Sequence, residues 1–183
     1  MKRICVFAGS RPGGHPGYME AATRLGEILA EEELELVYGG AGVGLMGRIA
    51  DTVLERGGKV TGVIPSRLFD REVAHTQVTE LIEVKDLHER KAKMAELSDA
   101  FIALPGGYGT LEEIFEVVSW GHLRIHQKPI GLLNVHGFYN PLVHMVAKIA
   151  QAGFIPERSR QLLIPEEDPR TLVSRLRETA SSP

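Results

Sequence analysis

Cysteine is all but missing: Cys5 is the only one in 183 residues. No intramolecular disulfide can form, and Cys5 sits inside the apolar run Ile4 to Ala8, so it reads as a small buried hydrophobe rather than a nucleophile or ligand. A reducing, cytoplasmic setting fits. Long apolar runs are missing as well. Ile4 to Ala8 is far too short for a signal-peptide core, and nothing approaches the roughly 18 residues of a membrane span, so a soluble chain with no membrane partner is expected. Strong charge of either sign is also lacking. A net charge of −3 and a pI near 6.2, with the basic residues scattered, leave no electrostatic footprint for nucleic acid. Of the histidines at 15, 75, 88, 122, 126, 136 and 144, only His122 and His126 stand at H-x-x-x-H spacing, and no cysteine pair supports them, so no metal site is expected. There is no internal repeat, low-complexity stretch or linker. What is present, 43% hydrophobic and 25% charged residues, suits one compact domain over residues 1–183.

Strand and helix signals alternate along the chain. Arg3 to Ala8 reads as a buried strand, Gly9 to Gly14 as a loop, and Gly17 to Glu32 as a helix carrying Ala21, Leu25, Ile28 and Leu29 inward. Ser10, at the carboxyl end of that strand, can offer its hydroxyl to a phosphate or can bond nearby backbone as a turn serine. Leu34 to Tyr38 is a second strand. Gly42, Gly44 and Gly47 then spell G-x-G-x-x-G before a helix running to about Glu55. A nicotinamide enzyme would also carry an acidic residue about 20 positions on, for the adenosine ribose. Instead the next strand, Lys59 to Ile64, runs into Pro65-Ser66, which argues against a dinucleotide and leaves a mononucleotide or a packing turn.

Pro65 to Gln77 is irregular. It mixes Arg67, Asp70, Arg71, Glu72 and His75 with Leu68 and Phe69, as a loop over the strand ends and a pocket wall for a base would. Val78 to Val84 reads as a strand, and Asp86 opens a helix to Leu97 with Leu87, Met94 and Leu97 inward. Phe101 to Leu104 and Pro129 to Val135 are strands. Pro141 to Ala152 is a helix with Leu142, Met145, Val146 and Ile149 in register, Gln161 to Ile164 a last edge strand, and Thr171 to Arg177 a short terminal helix. The alternation predicts one doubly wound, mostly parallel, Rossmann-like α/β sheet with its ligand site at the carboxyl ends of the strands.

Two constellations carry chemistry. The first is Pro105 to Glu113, P-G-G-Y-G-T-L-E-E, between a strand and a helix. Gly106, Gly107 and Gly109 let backbone approach a ligand, and the first amides of the helix attract a phosphate. Thr110 and Glu113 also spell a T-x-x-E capping box, so on residue types alone Glu113 is either a cap or a catalytic carboxylate. At about 100° per residue, Leu111, Ile114, Phe115 and Val118 form the buried stripe, with Glu113 on its flank beside Val117 and Trp120. Glu112, Glu116 and Ser119 take the wet face, so Glu112→Gln should be silent. The second constellation is Arg90-Lys91. Both cations fall on the inward stripe in the first turns of their helix, where the dipole disfavours positive charge, so an anionic partner is expected nearby. The plainer reading is a partly solvated basic face with Lys93.

These strings resemble the Lonely Guy family of cytokinin riboside 5′-monophosphate phosphoribohydrolases. P-G-G-x-G-T-x-x-E matches at every fixed position. Y-G-G-x-x-x-G-L-M-G looks like a second motif, with Ala41 where many members have glycine. The family's M-x-x-R-K is present as Leu87-His88-Glu89-Arg90-Lys91, leucine replacing methionine. The resemblance implies hydrolysis of a nucleoside 5′-monophosphate by a homodimer without metal or organic cofactor. It also implies catalysis by Arg90 and Glu113, with phosphate held by Gly107, Gly109 and Thr110 helped by Gly40, Gly42 and Lys91. Proteins of the same fold also carry nucleotide-like ligands such as the molybdenum cofactor without turnover, and similar chains bear the label lysine decarboxylase. Pyridoxal phosphate would need a Schiff-base lysine with its partner set, which Lys59, Lys91 and Lys128 do not show.

Overall fold

The computed structural model describes residues 1–66 and 74–181. Seven strands, β1 (Arg3–Phe7), β2 (Glu35–Tyr38), β3 (Val60–Pro65), β4 (Glu80–Val84), β5 (Ala100–Ala103), β6 (Ile130–Leu133) and β7 (Leu163–Glu166), form one sheet in the order β4-β3-β2-β1-β5-β6-β7. Every strand pair is parallel, with Cys5 of β1 level with Val37 of β2 and Phe101 of β5. The central strands are apolar on both faces because helices cover both. Side chains alternate: Ile4 and Val6 enter one core with Ile102, while Cys5 and Phe7 enter the other with Phe101 and Ala103.

Helices α1 (Pro16–Glu31), α2 (Gly44–Glu55) and α6 (Pro169–Ser181) cover the first core through Leu25, Ile49 and Leu172. Helices α3 (Leu87–Leu97) and α4 (Tyr108–His122) cover the second through Met94, Ile114 and Val117, and α5 (Asn140–Gln151) rests on it with Leu142 and Val146. The chain leaves β1 toward one face and its neighbour β5 toward the other. A crevice must therefore open between their carboxyl ends, where a doubly wound sheet takes its ligand.

Helix faces depart from the expectations at three places. Leu87 is exposed, whereas Arg90, Lys91 and Met94 are the buried residues of α3. In α4 the buried residues are Thr110, Ile114 and Val117, and Phe115 is exposed, so the inner stripe is turned toward Glu113. Helix α5 buries no residue fully, and its Met145 is exposed. The edge strand begins later than expected because Glu157–Leu162 form a 3-10 turn, and α6 outruns its expected span at both ends. Leu68, Phe69 and the charged residues Arg67, Asp70, Arg71 and Glu72 lie outside the described residues.

Candidate active site

Helix α3 delivers Arg90. Asp86 caps the helix, its Oδ1 accepting from the amides of His88 (3.0 Å) and Glu89 (2.9 Å), and those backbone bonds hold its carboxyl below the usual range. With the start pinned, Arg90 turns inward and is only 7% exposed. Its guanidinium lies over Gly39 at the end of β2. A Cβ there would fall 1.7 Å from Nη2 and 2.6 Å from the Met46 methyl, so only glycine leaves room for the group. Arg90 Nε is buried without a hydrogen-bond partner among the described residues.

Helix α4 delivers Glu113. Its N-cap is Gly107, with no side chain capping it. Thr110 therefore stands inside the first turn rather than at the cap, and Glu113 one turn further on. This removes the capping-box reading, which needs the helix to start after Thr110. The amides of Tyr108, Gly109 and Thr110 have no intrahelical acceptor and point out of the helix end. Arg90 Nη2 stands 3.8 Å from Glu113 Oε1, beyond hydrogen-bond length, with both side chains largely buried.

These groups wall a cavity of about 210 Å³, together with Ala8, Gly9 and Ser10 from the β1 loop, Gly39, Met46 and Met94. Of the residues read from the sequence, the cavity brings together Ser10, Arg90, Gly107, Gly109, Thr110 and Glu113. Gly40, Gly42, Gly106 and Lys91 are placed elsewhere. The Gly40 carbonyl accepts from the His75 amide at 2.9 Å. Gly42 packs against Gly47, where a Cβ would lie 2.5 Å from the Gly42 carbonyl, and Gly106 lies under Thr110, whose Oγ1 would be 2.1 Å from a Cβ there. Gly39, Met46 and Tyr108 join the wall without having been singled out. Gly39 is marked in the sequence by its place directly after β2 and directly before Gly40.

The two glycine turns do not play the same part. At α2 the amides of Leu45 and Met46 donate to the Gly9 carbonyl (3.0 and 3.4 Å), and Gly44, in the left-handed region at φ +60°, lies against the backbone of Ser10 and Arg11. That helix end is closed by the chain itself, whereas the end of α4 faces the cavity. Lys91 is also engaged: its ammonium donates to Glu112 and to Glu116 (3.1 Å). Glu112 lies on the wet face as its helix position predicts, but there it accepts from Lys91. Cys5 lies wholly buried in the second core, and burial, with the Glu113 charge adding to it, pushes its thiol well up, so it is no nucleophile. Among the described residues there is no group of three or more His, Cys, Asp or Glu side chains that could hold a metal ion, and no helix is long and apolar enough to cross a membrane.

A seven-stranded parallel sheet with a crevice at its switch point places the molecule among the doubly wound α/β proteins, which take their ligands there. Comparison with known proteins narrows this. Residues 46–176 match the family model described as "Possible lysine decarboxylase". The chain is 50% identical to the cytokinin riboside 5′-monophosphate phosphoribohydrolase LOG7 of Arabidopsis thaliana, over 97% of this chain and 82% of the relative. It is 49% identical to the enzyme LOG of Oryza sativa subsp. japonica, over 97% of this chain and 73% of the relative. It belongs to the Lonely Guy family. Among solved structures, the fold is shared with the molybdenum cofactor carrier protein of Chlamydomonas reinhardtii (TM-score 0.76, 20% identity, 99% of each chain). It is shared too with the molybdenum cofactor binding protein of Rippkaea orientalis (TM-score 0.71, 23% identity, 97% of each chain). Among the described residues no lysine lines the cavity, and Lys128 donates to the Ala95 carbonyl at 2.7 Å, so nothing there is placed to form a Schiff base with pyridoxal phosphate.

Proposed function

We propose that the chain is a 5′-nucleotide N-glycosidase, hydrolysing cytokinin riboside or purine 5′-monophosphates to free base and ribose 5-phosphate. The observation that carries the reading is the meeting of Arg90 and Glu113 on the wall of the cavity that the open end of α4 faces. The phosphorylated substrates named for the relatives at about half identity support it.

The 5′-phosphate accepts from the amides of Tyr108, Gly109 and Thr110, with the hydroxyls of Thr110 and Ser10 beside them. So anchored, the ribose lies against Glu113. Breaking the glycosidic bond develops oxocarbenium charge on the sugar, which a fixed carboxylate stabilises. Water adds to the anomeric carbon and gives up a proton, for which Glu113 is the base at hand, and the free base departs with the bonding electrons and takes a proton. Arg90 is not the acid; it orients Glu113 and offers Nε and Nη donors to the nucleotide. Met46 and Met94 give the base an apolar wall. The reaction needs water alone as co-substrate.

The test is a panel of nucleoside 5′-monophosphates incubated with purified protein, with free base and ribose 5-phosphate quantified by chromatography. Equimolar release is the expected result. Tight binding without release would replace this reading by that of a carrier.

We further infer that two copies associate. The apolar but incompletely buried α5, with Met145 exposed, and the exposed Phe115, Leu123, Ile125 and Phe154 support this, since such side chains gather at subunit contacts. A cytoplasmic setting is proposed from the single buried cysteine. Light scattering tests the first and cell fractionation the second; a monomer at micromolar concentration would remove the dimer.

A further inference from the structure

We infer that Lys91 is a positioning residue rather than a phosphate ligand: by clamping α3 to α4 it sets the spacing between Arg90 and Glu113. Its kinetic consequence rests on the N-glycosidase reading; the clamp itself does not.

Neighbouring side chains on a helix diverge by about 100°. Arg90 turns into the crevice, and Lys91 turns toward α4. There its ammonium donates to Glu112 and, at 3.1 Å, to Glu116. These two carboxylates stand one turn apart on the same side of α4. One cation therefore holds that helix at two heights, which fixes both its rotation and its axial position relative to α3. Glu113 follows Glu112 directly, so its carboxylate moves with the clamp. The lysine is the inner partner, with its side chain 8% exposed against 58% for Glu112 and 24% for Glu116. Burial alone would lower the Lys91 pKa, but the bonds and charges of Glu112 and Glu116 outweigh it and the net shift is upward, so the clamp stays charged. Two of the three ammonium donors are engaged, and Lys91 is absent from the cavity wall. The two cations read side by side in the sequence thus do different work.

The test compares Lys91→Met, Lys91→Arg and the double variant Glu112→Gln/Glu116→Gln. Lys91→Met keeps apolar bulk and leaves Glu112 in water, but Glu116, whose Oε2 is buried without a hydrogen-bond partner among the described residues, loses its cation, so the variant should fold with a lowered melting temperature. Its kcat for a 5′-monophosphate should fall by about 10- to 100-fold, the scale of a misplacement near 1 Å. KM, and inhibition by inorganic phosphate, should change little. The double variant should reproduce this loss, and Lys91→Arg should restore most of it. A rise in KM and weaker phosphate inhibition at unchanged kcat, with the double variant silent, would overturn the proposal and make Lys91 a phosphate ligand. Position is read without turnover from the side-chain Nε–H NMR signal of Arg90, identified by its loss in Arg90→Lys. That signal should shift or broaden in Lys91→Met and keep its place in Lys91→Arg. If wild type releases no base, the N-glycosidase reading fails while this signal still decides the clamp: an unmoved resonance in Lys91→Met overturns it.

Discussion

Glu113→Gln should lower kcat by on the order of 10²–10⁴, the range for losing a catalytic acid or base or one major electrostatic contact. Unfolding should hardly change. Glutamine matches the shape of glutamate, so packing beside Val117 is kept, and what disappears is the negative charge that the developing oxocarbenium ion and the attacking water both require. Because α4 starts at Tyr108 with Gly107 as its cap, Glu113 closes no capping box whose loss could mimic a catalytic defect. Removing one partner of a tightly bonded buried ion pair costs about 3–5 kcal/mol. Here Arg90 and Glu113 stand 3.8 Å apart on the wall of a polar cleft, so the effect on stability should be nearer 1 kcal/mol. Steady-state turnover and a thermal melt of the same preparation separate the outcomes. A much lower melting temperature with full specific activity of the folded fraction would make Glu113 structural. Glu112 is a poor control because it holds Lys91, whereas Glu20, exposed on α1, is a suitable one.

AMP should exceed adenosine in kcat/KM by at least about 10². Adenosine forgoes the hydrogen bonds from the α4 amides and the Thr110 hydroxyl, each charge-assisted bond worth about 1.5–3 kcal/mol, and two of them already correspond to roughly 10²–10⁴. Part of the loss should fall on kcat, because the anchored phosphate supplies binding energy that positions the ribose at Glu113. Equal kcat/KM for the two would sink the assignment of the α4 end as the phosphate site.

The architecture was legible because strands β1, β2, β3 and β5 are short apolar runs ended by glycine or proline, a pattern that parallel strands covered on both faces impose. Arg90 and Glu113 were legible too, as charges on or beside inward stripes. The division of labour between neighbours was not. Nothing in G-x-G-x-x-G tells that the amides of Leu45 and Met46 are already taken by Gly9, since that acceptor comes from another loop. Lys91 and Arg90 look alike as consecutive cations, and only the rotation of α3 against α4 decides which meets the crevice and which meets Glu112 and Glu116. Phe115 and Met145 were expected inward because periodicity records that a face is apolar without recording what covers it.

The peptide at Gly9 joins three parts of the chain: its amide donates to the Pro105 carbonyl at 3.2 Å and its carbonyl accepts from Leu45 and Met46. Those partners are far from Gly9 in sequence, and Pro105 begins the turn that aims α4. During folding, loops of that length must close before the junction rewards them, so it should form late, after the strands around β1 have paired. A nascent chain that has emerged only as far as α3 carries Arg90 but lacks the α4 end proposed as the phosphate site. Local opening at α2 or at the β5 turn in the finished protein would loosen the same junction, so amide exchange at Leu45 should rise and fall together with exchange at Gly9.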